Sequence, residues 1–373
     1  MLGFGGREKI TIDLANALSE NNHNVQFVTL SNNLNEQALC LNKTIKLFEL
    51  PCRYNNLEGI KAIGFWIKCL PAFIKLLKKE KPDIIHTHLF FQRLLFVAIA
   101  VKLCGIKIRH YHTIHTSGLF YKEKGTVNSI RLQTEKIAVK LNKAFLIAIS
   151  EEVYKNAVSH FKKESSGIAL IYNGVDDKQF DYRLKNTINK SLFGFTDDDI
   201  VVTYVARITE GKDHLTLLKA WKLVSSQISN AKLCLAGDGE LKTGMQEFCK
   251  KENIDSNVIF LGTVKNVPEL LAITDIGVFT SLFEGFGIAV VEQMLMKIPV
   301  IATDIKPVNE FIIPEKNGFL FRPGDIESLI DLTVQLINDN ALCKRIGEAA
   351  YVTAQKFSIH EMTQKHEEVY AIA

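Results

Sequence analysis

Ile200-Val-Val-Thr-Tyr-Val-Ala-Arg207-Ile-Thr-Glu-Gly-Lys212 is an apolar run that ends in two cations. Ile200, Val201, Val202 and Val205 are β-branched and no charge interrupts the first seven positions, as in a strand covered on both faces. A helical pattern follows at 215–226 and another apolar run at 232–236, which makes a strand, helix, parallel strand unit. Further strand-like runs lie at 258–261, 276–280, 300–303 and 319–321, with helical patterns at 241–252, 267–274, 288–296 and 326–338. The same alternation fills the first half: strands at 25–30, 45–50, 83–88, 106–113, 145–149 and 168–172, helices at 8–22, 57–80, 126–141 and 151–162. A polar stretch, 173–199, separates the two series and reads as a linker. The expected fold is α/β: two tandem Rossmann-like doubly wound parallel sheets, residues 1–172 and 200–355, facing each other across a cleft, with a C-terminal helix at 356–373 packing back on the first domain.

The length of 373 residues fits two domains at about 150 residues each. Hydrophobic residues at 47% and charged residues at 23% exclude disordered and collagen-like classes. The longest apolar stretch, 94–106, is broken by Lys102 and falls short of the roughly 20 residues that cross a bilayer. The opening Met-Leu-Gly-Phe-Gly-Gly-Arg-Glu has no basic start followed by an apolar run, so no secretory leader is expected. Seven scattered cysteines with no C-x-x-C spacing read as buried thiols in a reducing cytoplasm rather than a disulfide framework or zinc site. Residues 1–165 carry 24 Lys and Arg against 13 Asp and Glu, a net +11, while the remainder is net −7. Such asymmetry points to different partners for the two halves. No aromatic-and-basic nucleic-acid motif accompanies it, which leaves an anionic membrane surface or a phosphorylated ligand.

Candidate chemistry gathers where strands give way to helices. Gly5-Gly6, just ahead of the first helix, offers backbone amides to an anion, or is only a tight turn. A unit of this kind should open with a strand, and only Met1 and Leu2 precede the loop; either translation starts upstream or the domain lacks a core strand. Arg207 and Lys212 stand at the carboxyl end of a buried strand, where a diphosphate would lie. Ala236-Gly-Asp-Gly-Glu240 is another strand-to-helix turn, and Glu284-Gly-Phe-Gly-Ile-Ala-Val-Val-Glu292 places a glycine loop against a helix start.

In this order, with Ile171-Tyr-Asn-Gly-Val-Asp176, Lys297-Ile-Pro-Val-Ile-Ala-Thr-Asp304 and Asn317-Gly-Phe-Leu-Phe-Arg-Pro-Gly-Asp325, the motifs resemble the family-four (group 1) retaining glycosyltransferases of the two-Rossmann GT-B fold. The resemblance spans nearly the whole chain. It implies a nucleoside-diphosphate sugar as donor, a glycan or lipid-linked acceptor on the side of the first domain, retention of configuration, and neither metal nor cofactor. By position, Arg207 and Lys212 would grip the diphosphate, Glu292 the nucleotide ribose, and Glu284 the sugar hydroxyls. The amides of Gly285, Phe286 and Gly287 would cover sugar and phosphate, with Gly237 also in the donor loop. His115 of His112-Thr-Ile-His115 matches the family's cleft histidine best, with His112 as the alternative register. After Asp304, Ile305-Lys-Pro307 stands where the family often has two glycines.

Other signals compete. His86, His88, His110, His112 and His115 fall at neighbouring strand ends, where core or cleft roles outweigh a metal site without a carboxylate at ligand spacing. Asp197-Asp-Asp199 precedes a strand and reads as a solvated turn. The segment 60–81 mixes apolar residues with Lys61, Lys68, Lys75, Lys78, Lys79 and Lys81, either a solvated basic face or a dock for anionic lipid on the inner membrane face. Within enzymes, a sugar-nucleotide epimerase of the same double fold is the rival; outside them, a non-catalytic nucleotide-binding partner.

Overall fold

A computed structural model describes residues 6–30, 40–50, 60–115, 126–162 and 167–372, the side chains of 60–65 and 126–128 excepted. The chain divides into two compact units, Met1–Gly174 with Ile359–Ala373, and Val175–Ser358.

In the first unit, α1 (Gly6–Glu20) leads to β1 (Gln26–Thr29) and β2 (Lys46–Glu49), which pair in parallel. After α2 (Ile60–Glu80) a second parallel sheet holds β3 (Ile84–Thr87), β4 (Arg109–Ile114), β5 (Phe145–Ala148) and β6 (Ile168–Leu170), in that order. Helices α3 (Phe91–Leu103), α4 (Thr126–Leu141) and α5 (Glu151–Phe161) connect these strands. Among the described residues β1 and β3 are each paired on one side only, so the sheet stands in two pieces. One core serves both: Val28 and Ile85 pack on Phe73 and Leu77 of α2 and on Phe96 and Ala100 of α3. The apolar stretch 94–106 shows no period in the sequence because α3 is buried nearly all round, at Leu94, Phe96, Val97, Ala98, Ala100 and Val101.

The C-terminal helix, Ile359–Ile372, belongs to this unit. Its Tyr370 ring meets Tyr111 of β4 at 4.9 Å, and the Tyr111 hydroxyl donates to the Val369 carbonyl at 3.3 Å. Glu367 accepts from Asn21 Nδ2 at 2.9 Å, just beyond α1.

In the second unit six parallel strands, β7 (Ile200–Val205), β8 (Ala231–Ala236), β9 (Val258–Gly262), β10 (Ile276–Phe279), β11 (Val300–Thr303) and β12 (Phe319–Phe321), lie in the order β12-β11-β10-β7-β8-β9. Helices α6 (His214–Gln227), α7 (Lys242–Lys251), α8 (Val267–Ala272), α9 (Ile288–Leu295), α10 (Ile326–Asn338) and α11 (Asn340–Ala354) accompany them. The chain winds outward from β7 to β9, then returns to β10 on the other side of β7. Strand order therefore reverses between β7 and β10, the place where open α/β sheets bind ligands. Helix α11 has no counterpart among the expected elements; Asp339 caps it by accepting from Leu342 N at 2.8 Å.

The polar stretch 173–199 is ordered by its own side chains. Asp181 Oδ1 accepts from Arg183 N at 2.9 Å and Asn189 Oδ1 from Ser191 N at 2.8 Å, each opening a short 3₁₀ turn. Phe180 and Phe195 are buried beside them. The expectation of buried free thiols holds for Cys104, Cys234 and Cys249; Cys40 is exposed and Cys69 is disulfide-bonded.

Gly277 of β10 lies against the buried side chain of Gln293, where an added Cβ would sit 1.7 Å from Oε1. Gly277→Ala should lower stability by about 1–3 kcal/mol through overpacking. Gln293→Ala in the same chain should recover part of that loss by opening the space, and urea midpoints of the single and double variants check both statements.

Candidate functional site

The segments that carry Lys212 and Glu284 are joined at the hydroxyl of Tyr204, a fully buried β7 residue. It donates to the Lys212 carbonyl at 2.9 Å and accepts from Ser281 Oγ at 3.0 Å. Thr280 Oγ1, also buried, reaches the Lys212 carbonyl at 2.9 Å. The loop after β7 is thereby tied to the segment after β10, and Leu282 N donates to the Gly211 carbonyl at 2.9 Å. Gly211 lies under the Phe283 ring: an added Cβ would come within 2.5 Å of it, so that exposed ring would have to swing aside. Across this seam the half-buried Lys212 ammonium and Glu284 carboxylate form an ion pair and hydrogen bond. His214 stacks on Tyr204 at 4.8 Å; burial and the Lys212 charge lower its pKa to about 4, and burial raises that of Tyr204.

Gly237 and Gly239 shape the neighbouring turn. Gly237 has φ 149° and a Cβ there would lie 1.9 Å from the Ala206 carbonyl oxygen; at Gly239 it would lie 2.2 Å from that of Ile208. The backbone of 206–208 lies hard against this turn, with Ile208 N donating to the Asp238 carbonyl at 3.0 Å. Arg207 sits on that backbone with its side chain exposed. Gly287, at φ 93°, caps the start of α9, on which Glu292 is buried at 6% exposure. The ring of Phe286 packs against Phe311 and Phe357 at 5.5 Å each and is buried, so it anchors the loop instead of facing a ligand. After Asp304, Asn309 Nδ2 donates to its carboxylate at 2.7 Å, and Val308 closes on Gly287, where an added Cβ would be 3.1 Å away.

The first unit holds the histidines on two faces of one strand pair. β3 and β4 pair with His86 opposite Tyr111 and Thr87 opposite His112. Side chains alternate along a strand, so His110 and His112 share the Thr87 face, while His86 shares the face of Tyr111 and Thr113. His112 is 1% exposed, bonds the Thr87 carbonyl at 3.1 Å through Nδ1 and lies 4.0 Å from the buried Glu135. His115 follows the end of β4 and its Nε2 meets His88 Nδ1 at 2.8 Å. The two registers open in the sequence thus separate physically: His112 is in the core and His115 at the carboxyl end of the strand. His86 is held by the Tyr370 hydroxyl at 2.6 Å and by Thr113 Oγ1 at 2.7 Å. Among the described residues no three His, Cys, Asp or Glu are grouped to hold a metal ion, and no helix is long and apolar enough to cross a membrane.

Of the expected site residues, Lys212 and Glu284 are in contact, Arg207, Gly237, Gly285, Phe286, Gly287 and Glu292 lie on the same unit, and His115 is on the other. Gly6 is the exposed first residue of α1, and Gly5 lies outside the described residues. Tyr204, Thr280 and Ser281 were not singled out as site residues, and His88 only as one of the strand-end histidines; polar groups at the ends of otherwise apolar strands are the signal that marks them.

Two family models match in tandem, one for Glycosyltransferase Family 4 over residues 4–179 and one for Glycosyl transferases group 1 over residues 186–353. The chain is 23% identical over 370 residues to N-acetyl-alpha-D-glucosaminyl L-malate synthase of Bacillus anthracis, covering 98% of this chain and 93% of that protein. It is 27% identical over 334 residues to the UDP-Gal:alpha-D-GlcNAc-diphosphoundecaprenol alpha-1,3-galactosyltransferase of Escherichia coli, covering 88% and 84%. The crystal structure of Anabaena Alr3699/HepE in complex with UDP and glucose superimposes with a TM-score of 0.79 at 20% identity, covering 99% of this chain and 96% of that one.

Burial, chiefly, holds six histidines of the first unit uncharged: His110 and His115 have pKa values lowered to about 3, His112 and His366 to about 4, and His86 and His88 well below the ordinary range. An unfolded chain takes up these protons near pH 6.5, before the native one does. Stability should therefore be complete above about pH 6.5 and fall steeply as pH drops toward 4, each group contributing up to about 1.4 kcal/mol per pH unit. Urea midpoints measured from pH 7.5 down to 5 test this; a flat profile contradicts it.

Proposed function

Because the chain belongs to the group 1 glycosyltransferases, we propose that it moves a sugar from a nucleoside diphosphate to a glycan or lipid-linked acceptor in surface polysaccharide assembly, retaining configuration and using no metal ion. One observation carries the reading: Lys212 and Glu284 meet where strand order reverses, at the carboxyl ends of β7 and β10. A donor bound there would draw the ammonium onto its diphosphate and leave the carboxylate to accept hydrogen bonds from sugar hydroxyls. Arg207 would add a second cation, the amides of Gly285 to Gly287 would face the phosphates, and Glu292 would hold the ribose diol. The family resemblance gives His115 the role of lining the reacting sugar carbon.

Departure of the nucleoside diphosphate concentrates negative charge on the leaving phosphate, so fixed cations there act most strongly in the transition state. Front-face attack lets that phosphate take the acceptor proton, and no second carboxylate behind the sugar is required. The Escherichia coli relative is named for UDP-Gal and a diphosphoundecaprenol acceptor, and the Anabaena structure holds UDP and glucose. Those names support a uridine donor and a lipid-linked acceptor.

A panel of UDP- and GDP-sugars, with undecaprenyl-diphosphate saccharides and free glycans as acceptors, tests the reading. The expected result is nucleoside diphosphate released only when acceptor is present, with the anomeric configuration of the donor kept in the product. Nucleotide binding without turnover would instead mark a non-catalytic partner, and sugar isomerised without acceptor would mark an epimerase.

The membrane side of the proposal rests on α2, which buries Cys69, Phe73 and Leu77 and exposes Lys68, Lys75, Lys78 and Lys79 together with Ile67. Flotation should recover the protein with phosphatidylglycerol vesicles at low salt. Lys75→Glu with Lys78→Glu and Lys79→Glu should abolish it, since each lysine near such a surface is worth about 1 kcal/mol. Lys212→Ala should lower kcat about 10²- to 10³-fold. Glu284→Gln should also lose transfer, yet bind UDP about two- to fivefold more tightly in calorimetry, because the ammonium is no longer shared with a carboxylate.

A further inference from the structure

We propose that His88 is a positioning residue for His115, fixing which of its ring nitrogens is available to substrate. The proposal rests on the reading that His115 lines the reacting sugar carbon. A neutral imidazole has one N–H and one lone pair, and a hydrogen bond to one nitrogen determines what the other presents. Nε2 of His115 is taken by Nδ1 of His88 at 2.8 Å. That leaves Nδ1 of His115 as the nitrogen for a hydroxyl or phosphate oxygen, since it has no partner among the described residues.

His88 is itself backed by a fixed group. Its ring lies on that of His86 at 4.3 Å between centroids and 39° between planes. His86 cannot turn, because Tyr370 of the C-terminal helix and Thr113 of β4 occupy its two nitrogens at 2.6 and 2.7 Å. The His366 ring lies 5.5 Å from that of His86. The support for His115 is thus a column of neutral rings within one unit, anchored on a helix that comes from the far end of the chain. A lone histidine at a strand end would exchange tautomers and rotate; this one is held at a single nitrogen.

Long-range ¹H–¹⁵N spectra of the full-length, ¹⁵N-histidine-labelled protein at pH 7 test the pairing without substrate, with His115 assigned by its loss in His115→Ala. In the unmodified protein His115 should show one neutral tautomer, its two nitrogens well separated in shift. His88→Phe keeps a ring for stacking and removes the hydrogen bond, so the two shifts should move together by averaging; His88→Asn, with an amide at the same reach, should restore their separation. Averaged signals in the unmodified protein, or signals indifferent to His88→Phe, overturn the proposal, and the first of these outcomes is read without altering His88.

Kinetics then separate it from the reading beneath it. His88→Phe should lower kcat on the order of 10- to 100-fold with donor KM unchanged, and should add nothing to the loss already caused by His115→Ala. Additive losses overturn the positioning role, as does an unaffected His88→Phe beside an impaired His115→Ala. A fully active His115→Ala overturns the role given to His115 and this proposal with it.

Discussion

The pairing of β7 with β10 governs the second unit. Val202 sits opposite Ile276 and Thr203 opposite Gly277, which brings together two strands far apart in the chain and reverses the winding between them. The contacts that join the loop after β7 to the segment after β10 follow from that adjacency. Tyr204 can bridge the Lys212 carbonyl and Ser281 only because the strand ends lie side by side, and the Lys212–Glu284 pair closes over the same seam. A phenol hydroxyl with both a donor and an acceptor partner is fully satisfied, so the burial of Tyr204 does not leave a polar atom stranded.

Close backbone approach is the second constraint. Gly211, Gly237 and Gly239 each occupy a place where a Cβ would strike a neighbouring ring or carbonyl. These glycines draw the loops after β7, β8 and β10 together at one end of the sheet. The glycines of the loop after β10 have a different use at Gly287, whose φ of 93° lets the chain turn into α9. Phe286 between them is an anchor: its ring joins Phe311 and Phe357, so the loop is pinned at its centre.

The first unit solves a different problem. Polar rings crowd the end of one strand pair, and the two-residue period of β3 and β4 sorts them onto opposite faces. His110 and His112 face the interior with Thr87, whereas His86 is gripped between β4 and the C-terminal helix. Burial keeps these imidazoles neutral, so like charge does not drive them apart. The final helix matters here as much as any strand, because Tyr370 supplies the hydroxyl that sets His86.

Much of this was legible in the residues themselves. β-Branched runs such as Ile200-Val-Val marked the strands to within three residues, and the order of Arg207, Lys212, Glu284 and Glu292 identified the family and its double fold. Local chemistry suffices for such features: periodicity follows from one segment, and a loop motif keeps its spacing wherever the chain goes. Helix α3 escaped because a helix buried nearly all round has no polar face to set a period, and α11 because its single capping aspartate is a faint signal. The placing of His112 in the core and His115 at the strand end, the pairing of Lys212 with Glu284, and the column from Tyr370 to His115 were decided only by tertiary structure. Each depends on which strands become neighbours and which face of a strand a helix covers, and no local property of the sequence contains that information.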